Sequence, residues 1–439
     1  MRSKVARRLA LLILGAGFGA AFLSPAPAAA QSAERERPKL KNFGSSLKRL
    51  KWDAKKNTAV ETGRKKGKEK DSDEEDVVRV ETSLVVCDVL VLDGQGRPVE
   101  GLTRDDFVVT VDGRPQEVGT FALGDNVTIP RSIVLIIDYS GSQFPFIKTS
   151  VAAARTLVDK LGPRDTMAIV TDDVELLADF TRDKEKLKKK LESLEKKATS
   201  GGSFFNPFGR RFGRRAQYSA LMATLGEAFD GEDLRPVVIF QTDGDEAFLL
   251  RDSIINLSVA PNLPPDMQEE EQKMLLRSQQ YQRDNVKEFS LGDVYRAAER
   301  SRATIYTIIP GFRFIGLTPD EQVTQFKAYC EKRMTAWASP GVRAQAEARY
   351  KRTPAEALKH YAEQSLKVQL ALAGVAQVTG GWTDFLEDPS QADAVYSRIL
   401  SDINRRYVVG YYPANKERDG KRREVSVAVQ GHPEYVVWG

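Results

Sequence analysis

Two short polar motifs in this sequence have the residue types of a divalent-cation site. They are Asp138-Tyr139-Ser140-Gly141-Ser142 and Thr242-Asp243-Gly244-Asp245. Each follows directly on an apolar run, and ligands of open parallel sheets bind beyond the carboxyl ends of the strands. A few carboxylates with several hydroxyls and waters suit Mg²⁺, which keeps part of its hydration shell. Asp138 and Asp243 are expected to lie near each other at the top of the sheet, with the hydroxyls of Ser140 and Ser142 beside them.

The same residues also allow purely structural interpretations. Ser140 and Ser142 are of a type that caps the N-terminus of a following helix. Asp243 is of a type common in turns. Both interpretations remain open at the level of the sequence.

Strands alternating with helices from residue 131 onward predict the sheet that would position these motifs. The runs Ser132–Ile137 and Pro236–Gln241 are continuously apolar up to their last residues, which is typical of buried central strands in a parallel sheet. Helical runs separate the strands. We therefore expect an α/β fold, a Rossmann-like doubly wound and mostly parallel sheet with helices on both faces, and a polar helical insertion near residues 250–290.

Short runs of alternating apolar and polar residues flank this α/β region on both sides. Leu84–Leu92 and Phe107–Val111 precede it, and Tyr407–Tyr412 and Arg423–Val429 follow it. Neither side has enough strands for an independent sandwich. The two sides are therefore expected to form one small β-sandwich-like module, into which the α/β domain is inserted.

The N-terminal region has the pattern of an export signal. Its positive residues are Arg2, Lys4, Arg7 and Arg8. The apolar run Leu9–Leu23 and the small residues Ala28–Ala30 follow them. The run is short for a membrane span, and no later run is long and apolar enough. We expect an exported protein, periplasmic or extracellular, with no transmembrane segment in the mature chain.

A strongly charged segment follows the signal. It is too polar to bury enough surface to offset its ordering entropy, so a disordered linker is predicted. Its basic part, residues 31–70, is either a solvated tether or a contact to an anionic surface. The net charge of +5 over 439 residues is mild and does not indicate a nucleic-acid partner. The expected division is a signal at 1–30, a linker at 31–78, β-module strands at 79–128, the α/β domain at 129–404, and further β-module strands at 405–439.

The order of motifs resembles that of von Willebrand factor type A domains, and more narrowly the VWFA-related proteins found especially in acidobacteria. The segments that carry the resemblance are VLDGQGRPVEGLTRDDFVVTVDGRPQEV, RSIVLIIDYSGS, TDG, ATIYTI, TGG and YVVGYYPAN. They cover nearly everything from Thr82 onward. The resemblance implies a metal-ion-dependent adhesion site, in which a Mg²⁺ ion leaves one coordination position for an acidic residue of a protein partner. Asp138, Ser140 and Ser142 would then be ligands, and Asp243 a direct or water-mediated one.

One departure from the family pattern concerns Arg215, which falls where a threonine hydroxyl would join the site. If its guanidinium contacted Asp138 or Asp243, it would replace the cation. The alternatives are therefore a metal-independent envelope scaffold with a degenerate site, or an anionic-surface binder that uses the basic tail.

The loop before the third helix is rich in phenylalanine and arginine. Exposed aromatic and arginine side chains favour protein interfaces, and folding of the phenylalanines back on the domain is the equal alternative. The expected contacts to an acidic partner are Arg210, Arg211, Phe212 and Arg215.

Catalytic motifs are missing from the sequence. His360 and His432 are its two histidines, and it contains neither a P-loop nor a Gly-x-Ser-x-Gly elbow. The sequence therefore lacks the histidines that a zinc hydrolase site or a Ser-His-Asp triad requires. A phosphatase-like role for Asp138 would require a carboxylate where Ser140 stands. We therefore expect a binding protein and no enzyme.

Cys87 and Cys330 are the two cysteines of the sequence. They could pair in an oxidising compartment. Because they fall in separate predicted elements, two separate buried thiols are the preferred prediction.

Overall fold

The computed structural model describes most of the chain from residue 84 onward. The described residues are 50–53, 58–61, 84–123, 131–199, 215–229, 235–255, 257–337, 340–415 and 423–438. The predicted signal at 1–30 lies outside them, as do most of the basic tail and the loop residues Arg210, Arg211 and Phe212.

Fifteen strands and nine α-helices are assigned within the described residues. The strands are β1 (Leu50–Asp53), β2 (Thr58–Glu61), β3 (Val85–Leu92), β4 (Phe107–Val111), β5 (Arg114–Gln116), β6 (Val118–Leu123), β7 (Arg131–Ile137), β8 (Thr166–Thr171), β9 (Glu175–Thr181), β10 (Arg235–Gln241), β11 (Thr304–Pro310), β12 (Thr383–Leu386), β13 (Tyr407–Tyr411), β14 (Val425–Val429) and β15 (Val436–Trp438). The helices are α1 (Ile147–Lys160), α2 (Lys184–Thr199), α3 (Gln217–Glu227), α4 (Pro265–Asn285), α5 (Leu291–Arg300), α6 (Pro319–Trp337), α7 (Pro340–Lys351), α8 (Ala355–Gln377) and α9 (Ala392–Arg405).

A six-stranded sheet forms the centre of the α/β domain, in the order β12-β11-β10-β7-β8-β9. Every neighbouring pair is parallel except β8 and β9, which are antiparallel. Counted from β7, the order is 3-2-1-4-5-6, that of doubly wound Rossmann-type sheets. All seven residues of β10 are buried. The predicted α/β class, with its buried central strands, is confirmed.

Helices cover both faces of this sheet. Successive side chains of a strand point to opposite faces, so Ile133 and Leu135 pack with α1, α2 and α9, whereas Val134 and Ile136 pack with α3, α5 and α8. The apolar residues Ile133–Ile137, which precede Asp138, therefore each belong to one of two cores.

The terminal strands form a β-module of two small sheets, ordered β15-β3-β13-β6 and β14-β4-β5. The C-terminal strand β13 pairs antiparallel with both β3 and β6 from the N-terminal side. The α/β domain is therefore inserted between the two halves of the module, as predicted from the strand patterns.

Buried arginines join the β-module to the α/β domain. Arg235, at the start of β10, donates from Nε to the Asp88 carboxylate of β3 at 3.2 Å and from Nη2 to the Ile403 carbonyl at 2.9 Å. Arg406 contacts the Asp88 carbonyl at 3.4 Å and the Asp402 carboxylate at 3.1 Å. Both arginines are buried, so the two domains share a desolvated ionic junction.

A second group of helices, which we call the cap, extends from the carboxyl ends of β10 and β11. It comprises α4, α6, α7 and the first half of α8. The polar helix α4 lies within the insertion predicted near residues 250–290. The sequence analysis did not predict α6 and α7, which lie between β11 and β12.

Two further predictions from the sequence concern residues that the structure describes, namely the linker and the two cysteines. Residues 31–78 are expected to be a disordered linker, yet β1 and β2 pair antiparallel within it, which corrects the prediction for those eight residues. Tryptophan, threonine and valine in these runs favour strands. Cys87 and Cys330 are not joined by a disulfide, and burial raises the pKa of the Cys330 thiol to about 12. Cys87 is half-buried, not fully buried.

No helix in the described part of the chain combines the length and hydropathy of a membrane-spanning segment.

Candidate functional site

The ends of three neighbouring strands meet at the carboxyl edge of the α/β sheet. Because Ile137 of β7 lies opposite Gln241 of β10, the residues that follow them leave the sheet side by side. The Asp138 N–H donates to the Gln241 carbonyl at 3.0 Å, and the Asp172 N–H donates to the Ile137 carbonyl at 3.3 Å. The register of the sheet thus places both predicted motifs at one edge.

Asp138 is buried at this edge, 2% exposed. Its Oδ1 accepts the Ser140 N–H at 2.8 Å. Its Oδ2 accepts the Thr242 hydroxyl at 2.7 Å and the Gln217 side-chain amide at 3.0 Å. Burial, and next the charge of Asp245, raise the pKa of the Asp138 carboxyl.

The remaining predicted ligands belong to the same connected set of contacts. The hydroxyl oxygens of Ser140 and Ser142 are 2.9 Å apart. Ser142 and Gln143 donate side-chain hydrogen bonds to Asp243, which lower the pKa of that carboxyl. Burial, and then the charges of Asp245 and Asp138, outweigh them and raise this pKa well above its usual range. The structure therefore brings Asp138, Ser140, Ser142 and Asp243 together.

The structural alternatives for these residues are only partly realised. Ser140 precedes a 3₁₀ turn, Gly141–Gln143, without a side-chain cap hydrogen bond. Asp243 does have a turn contact, since its Oδ1 accepts the Asp245 N–H at 3.2 Å. Helix capping therefore does not explain Ser140, whereas a turn role for Asp243 coexists with its contacts to Ser142.

Arg215 contacts neither of the two aspartates that the sequence analysis considered. Its guanidinium pairs with Asp245, and its backbone N–H donates to Asp172 Oδ2 at 3.1 Å. Its backbone has φ of 57°, in the left-handed region. The charge of Arg215 is therefore directed at a carboxylate outside the predicted ligand set.

Three residues of this edge were missed by the sequence analysis. Asp172 directly follows β8 as Asp138 directly follows β7, so a search for aspartates at strand ends would have found it. Its Oδ1 accepts the Tyr139 N–H at 3.1 Å. Gln217 spans the site, since its Nε2 is 3.0 Å from Asp138 Oδ2 and 2.9 Å from Asp245 Oδ1. Asp245 lies within the second motif but had no role assigned.

A small cavity of about 70 Å³ opens onto this cluster. Its floor includes Ser142, Gln143, Asp243, Asp245 and Arg215. Its other walls come from the loop after β11 and from the cap, with Phe312, Phe314, Tyr329, Arg333 and Gln369. The predicted ligands Ser142 and Asp243 therefore face a walled cavity.

The residues at the floor fit a hydrated divalent cation. Among the described residues no three carboxylates, histidines or cysteines converge as a metal site, so a cation here would depend on two carboxylates and two hydroxyls. Those are hard oxygen donors, which suit Mg²⁺ with part of its water shell. The Gln143 Oε1 is buried and accepts no hydrogen bond within the described part of the chain, and a metal-bound water would supply the donor.

Comparisons with known proteins give distant likenesses. A von Willebrand factor type A protein from Catenulispora acidiphila is 11% identical with a TM-score of 0.31, over 74% of this chain and 50% of that chain, so this chain spans about half its length. The vWF domain of the type V pili tip protein Mfa5 from Porphyromonas gingivalis is 14% identical with a TM-score of 0.31, over 63% and 96%. The manganese-loaded Plasmodium vivax TRAP protein is 14% identical with a TM-score of 0.30, over 74% and 82%.

No family model matches the sequence. No curated protein matches it either.

The fold and the positions of the motifs agree with the resemblance seen in the sequence. The sheet has the doubly wound order with one antiparallel edge strand, β9. The Asp-x-Ser-x-Ser motif follows the first strand of that sheet, and Thr-Asp-Gly follows its parallel neighbour β10. Residues 131–405 therefore combine a doubly wound sheet with two strand-end motifs that resemble those of von Willebrand factor type A domains.

Proposed function

We propose that residues 131–405 are a von Willebrand factor type A domain that binds a protein partner through a Mg²⁺ ion at the carboxyl edge of its sheet. Asp138, Ser140, Ser142 and Asp243 would hold the ion. When bound, the ion would supply an open coordination position to an acidic side chain of the partner. The proposal includes an exported protein, periplasmic or extracellular, that acts by binding and not by catalysis.

One observation carries the proposal: the guanidinium at the family's threonine position pairs with Asp245. In the described part of the chain, neither Asp138 nor Asp243 forms a salt bridge, and the hydrogen bonds to Asp138 come from neutral donors. Burial raises the pKa of both carboxyls, and the charge of Asp245 adds to the rise in each. Desolvated carboxylates are costly unless a cation offsets their charge. A divalent cation would do so.

The alternative is a metal-independent scaffold, which the contacts of Gln217 favour. Its amide donates to both Asp138 and Asp245, so neutral hydrogen bonds already satisfy part of the Asp138 carboxylate. In that case the edge would be a closed polar network. The anionic-surface alternative depends on residues 31–70, most of which lie outside the described residues.

A titration of Mg²⁺ and Mn²⁺ into the full chain tests the proposal, with calorimetry and thermal melting as readouts. We expect saturable binding and a rise in melting temperature for the wild type, and loss of both in Asp138→Asn and Ser142→Ala. Asp165→Asn is the matched control, because Asp165 is buried to a similar degree, 4% against 2%, at the opposite edge of the sheet. If neither metal binds the wild type, the scaffold alternative replaces the proposal.

A further inference from the structure

The cap forms one wall of this site and has a small core of its own. Phe326 and Cys330 of α6 pack with Leu358 and Ala362 of α8 in a small separate core. The cap helices are also tied by polar contacts. These are Arg352 to Asp266 at 2.8 and 3.0 Å, Arg349 to Glu270, and Tyr361 to Glu271.

The loop after β11 is held against α6 and α8 by side-chain hydrogen bonds from Gln322 and Gln369. Gln369 of α8 accepts the Phe314 N–H at 2.9 Å through Oε1, and donates to the Phe312 carbonyl at 2.7 Å through Nε2. Gln369 is buried, 6% exposed. Both aromatic residues line the cavity, so the apolar part of its wall is fixed in place before any ligand arrives.

Arg333 of α6 brings a positive charge into this wall. It lines the cavity, and its Nη1 donates to the Tyr329 hydroxyl at 2.8 Å. Its guanidinium lies 5.4 Å from the centre of the Tyr329 ring and within electrostatic range of Asp243. Arginine stays charged at any physiological pH and presents a planar fork that matches a carboxylate.

The size of the cavity limits what can enter it. On the same measure a single water needs roughly 10–15 Å³, so about 70 Å³ admits a group of a few heavy atoms. A carboxylate with one or two carbons fits this space, whereas a helix or a flat protein surface does not. The side chain or chain end that contacts the floor of the cavity must therefore protrude from the surface of the partner protein.

We propose that Arg333 is a specificity-determining residue, whose guanidinium pairs with a single ligand carboxylate inserted between the cap and the floor of the cavity. This inference rests on the proposed function but names a contact of the cap, separate from the four ligands of the cation. The carboxylate belongs either to an acidic side chain or to a chain terminus.

Acetate and its neutral isostere acetamide are the first probes, titrated into the full chain with saturating Mg²⁺ and followed by calorimetry and ligand-observed NMR. The wild type should bind acetate at least tenfold more tightly than acetamide. Arg333→Gln should weaken acetate binding at least tenfold, or about 1.4 kcal/mol, because a hydrogen bond between two charged groups is lost. Mn²⁺ affinity should not fall, because Arg333 is not a predicted ligand of the cation and its positive charge lies within electrostatic range of Asp243.

Two further variants separate a specific contact from damage to the cap. Arg333→Lys keeps the charge but loses the fork, so its acetate affinity should fall between wild type and Arg333→Gln. Arg313 lies in the loop after β11, is half-exposed and does not line the cavity. Arg313→Gln should therefore leave acetate binding unchanged.

Two blocked tripeptides distinguish the sources of the carboxylate. One has a central glutamate and an amidated end, and the other has a central glutamine and a free terminal carboxylate. Binding of either that depends on Arg333 supports the inference and identifies the source. Acetate binding that Arg333→Gln leaves intact overturns the inference alone, whereas a wild type that binds no Mg²⁺ or Mn²⁺ overturns the proposed function.

Discussion

The guanidinium of Arg215 pairs with the carboxylate of Asp245, two residues beyond the aspartate of the Thr-Asp-Gly motif. The pair is largely buried, with side chains 11% and 16% exposed. An arginine thus stands where the resemblance to von Willebrand factor type A domains implies a threonine, and Asp245 supplies its counter-charge. Under the proposed function, Asp138 and Asp243 then hold the cation.

Replacement of Arg215 by glycine should make the stability of the protein depend on metal. Removing one partner of a buried pair costs about 3–5 kcal/mol, and relief of the left-handed backbone at φ of 57° returns about 1–2 kcal/mol. We expect a metal-free variant less stable by roughly 2 kcal/mol, recovered by Mg²⁺ because Asp245 then adds charge to the site. Urea unfolding with Mg²⁺ or with a chelator measures this.

The double variant Arg215→Gly with Asp245→Asn is the control for that experiment. It removes both charges, so its response to Mg²⁺ should return towards that of the wild type. Equal Mg²⁺ responses of the single and double variants would show that Asp245 does not act on the cation.

The sequence predicted the sheet well because its signals are local. Ile133–Ile137 must be apolar at every position to serve two cores, and this pattern is visible without coordinates. Asp138 and Asp243 were found for the same reason, since each directly follows a strand. Asp172 obeys that rule and was overlooked because its strand, β8, carries no family motif.

The cap and its contacts had no comparable signal. Arg333 lies near the end of a mixed polar and apolar helix, and its position at the cavity depends on the packing of α6 against α8. Gln217 likewise reaches Asp138 across 79 positions of sequence. Such contacts depend on tertiary structure alone, and a pattern of residue types along the chain does not contain them.

The backbone carbonyl of Ile305 leaves no space for a side chain at Gly381. A Cβ built there would lie 1.9 Å from that oxygen, closer than real contacts allow. Gly381→Ala should therefore displace the start of β12 from β11 and destabilise the domain by several kcal/mol, more than the 1–3 kcal/mol typical of overpacking. Thermal melting and circular dichroism measure the effect.

Gly226→Ala is the matched control, because Gly226 is exposed within α3 and its Cβ would meet nothing within 4 Å. Alanine favours a helix over glycine by about 0.5–1 kcal/mol, so this variant should be slightly more stable. Equal stabilities of the two variants would contradict the close approach at Gly381.

The ionic junction between the domains should be a major source of stability. Asp88→Ala would leave the Arg235 guanidinium, 1% exposed, without its carboxylate. Loss of one partner in a buried pair costs about 3–5 kcal/mol. We expect the β-module to unfold before the α/β domain in this variant, seen as two transitions in urea where the wild type shows one.

Glu100→Ala provides the comparison, since Glu100 pairs with Arg405 across the same junction at 3.6 Å but is 73% exposed. Exposed pairs contribute little because water screens them. A Glu100→Ala variant as unstable as Asp88→Ala would mean that desolvation does not set the strength of this junction.

The position of Gln217 allows the affinity of the site for a cation to be increased by one substitution. Its Nε2 is within 3.0 Å of both Asp138 and Asp245, so Gln217→Glu would place a third carboxylate beside them. Like charges at this distance repel strongly in a buried site, so the metal-free variant should be less stable. A divalent cation offsets that repulsion, and we expect Mn²⁺ affinity to rise at least tenfold. Gln280→Glu adds the same charge on an exposed face of α4 and should change neither quantity. If the metal-free variant is destabilised and yet gains no Mn²⁺ affinity, the carboxylates of this edge do not share a cation.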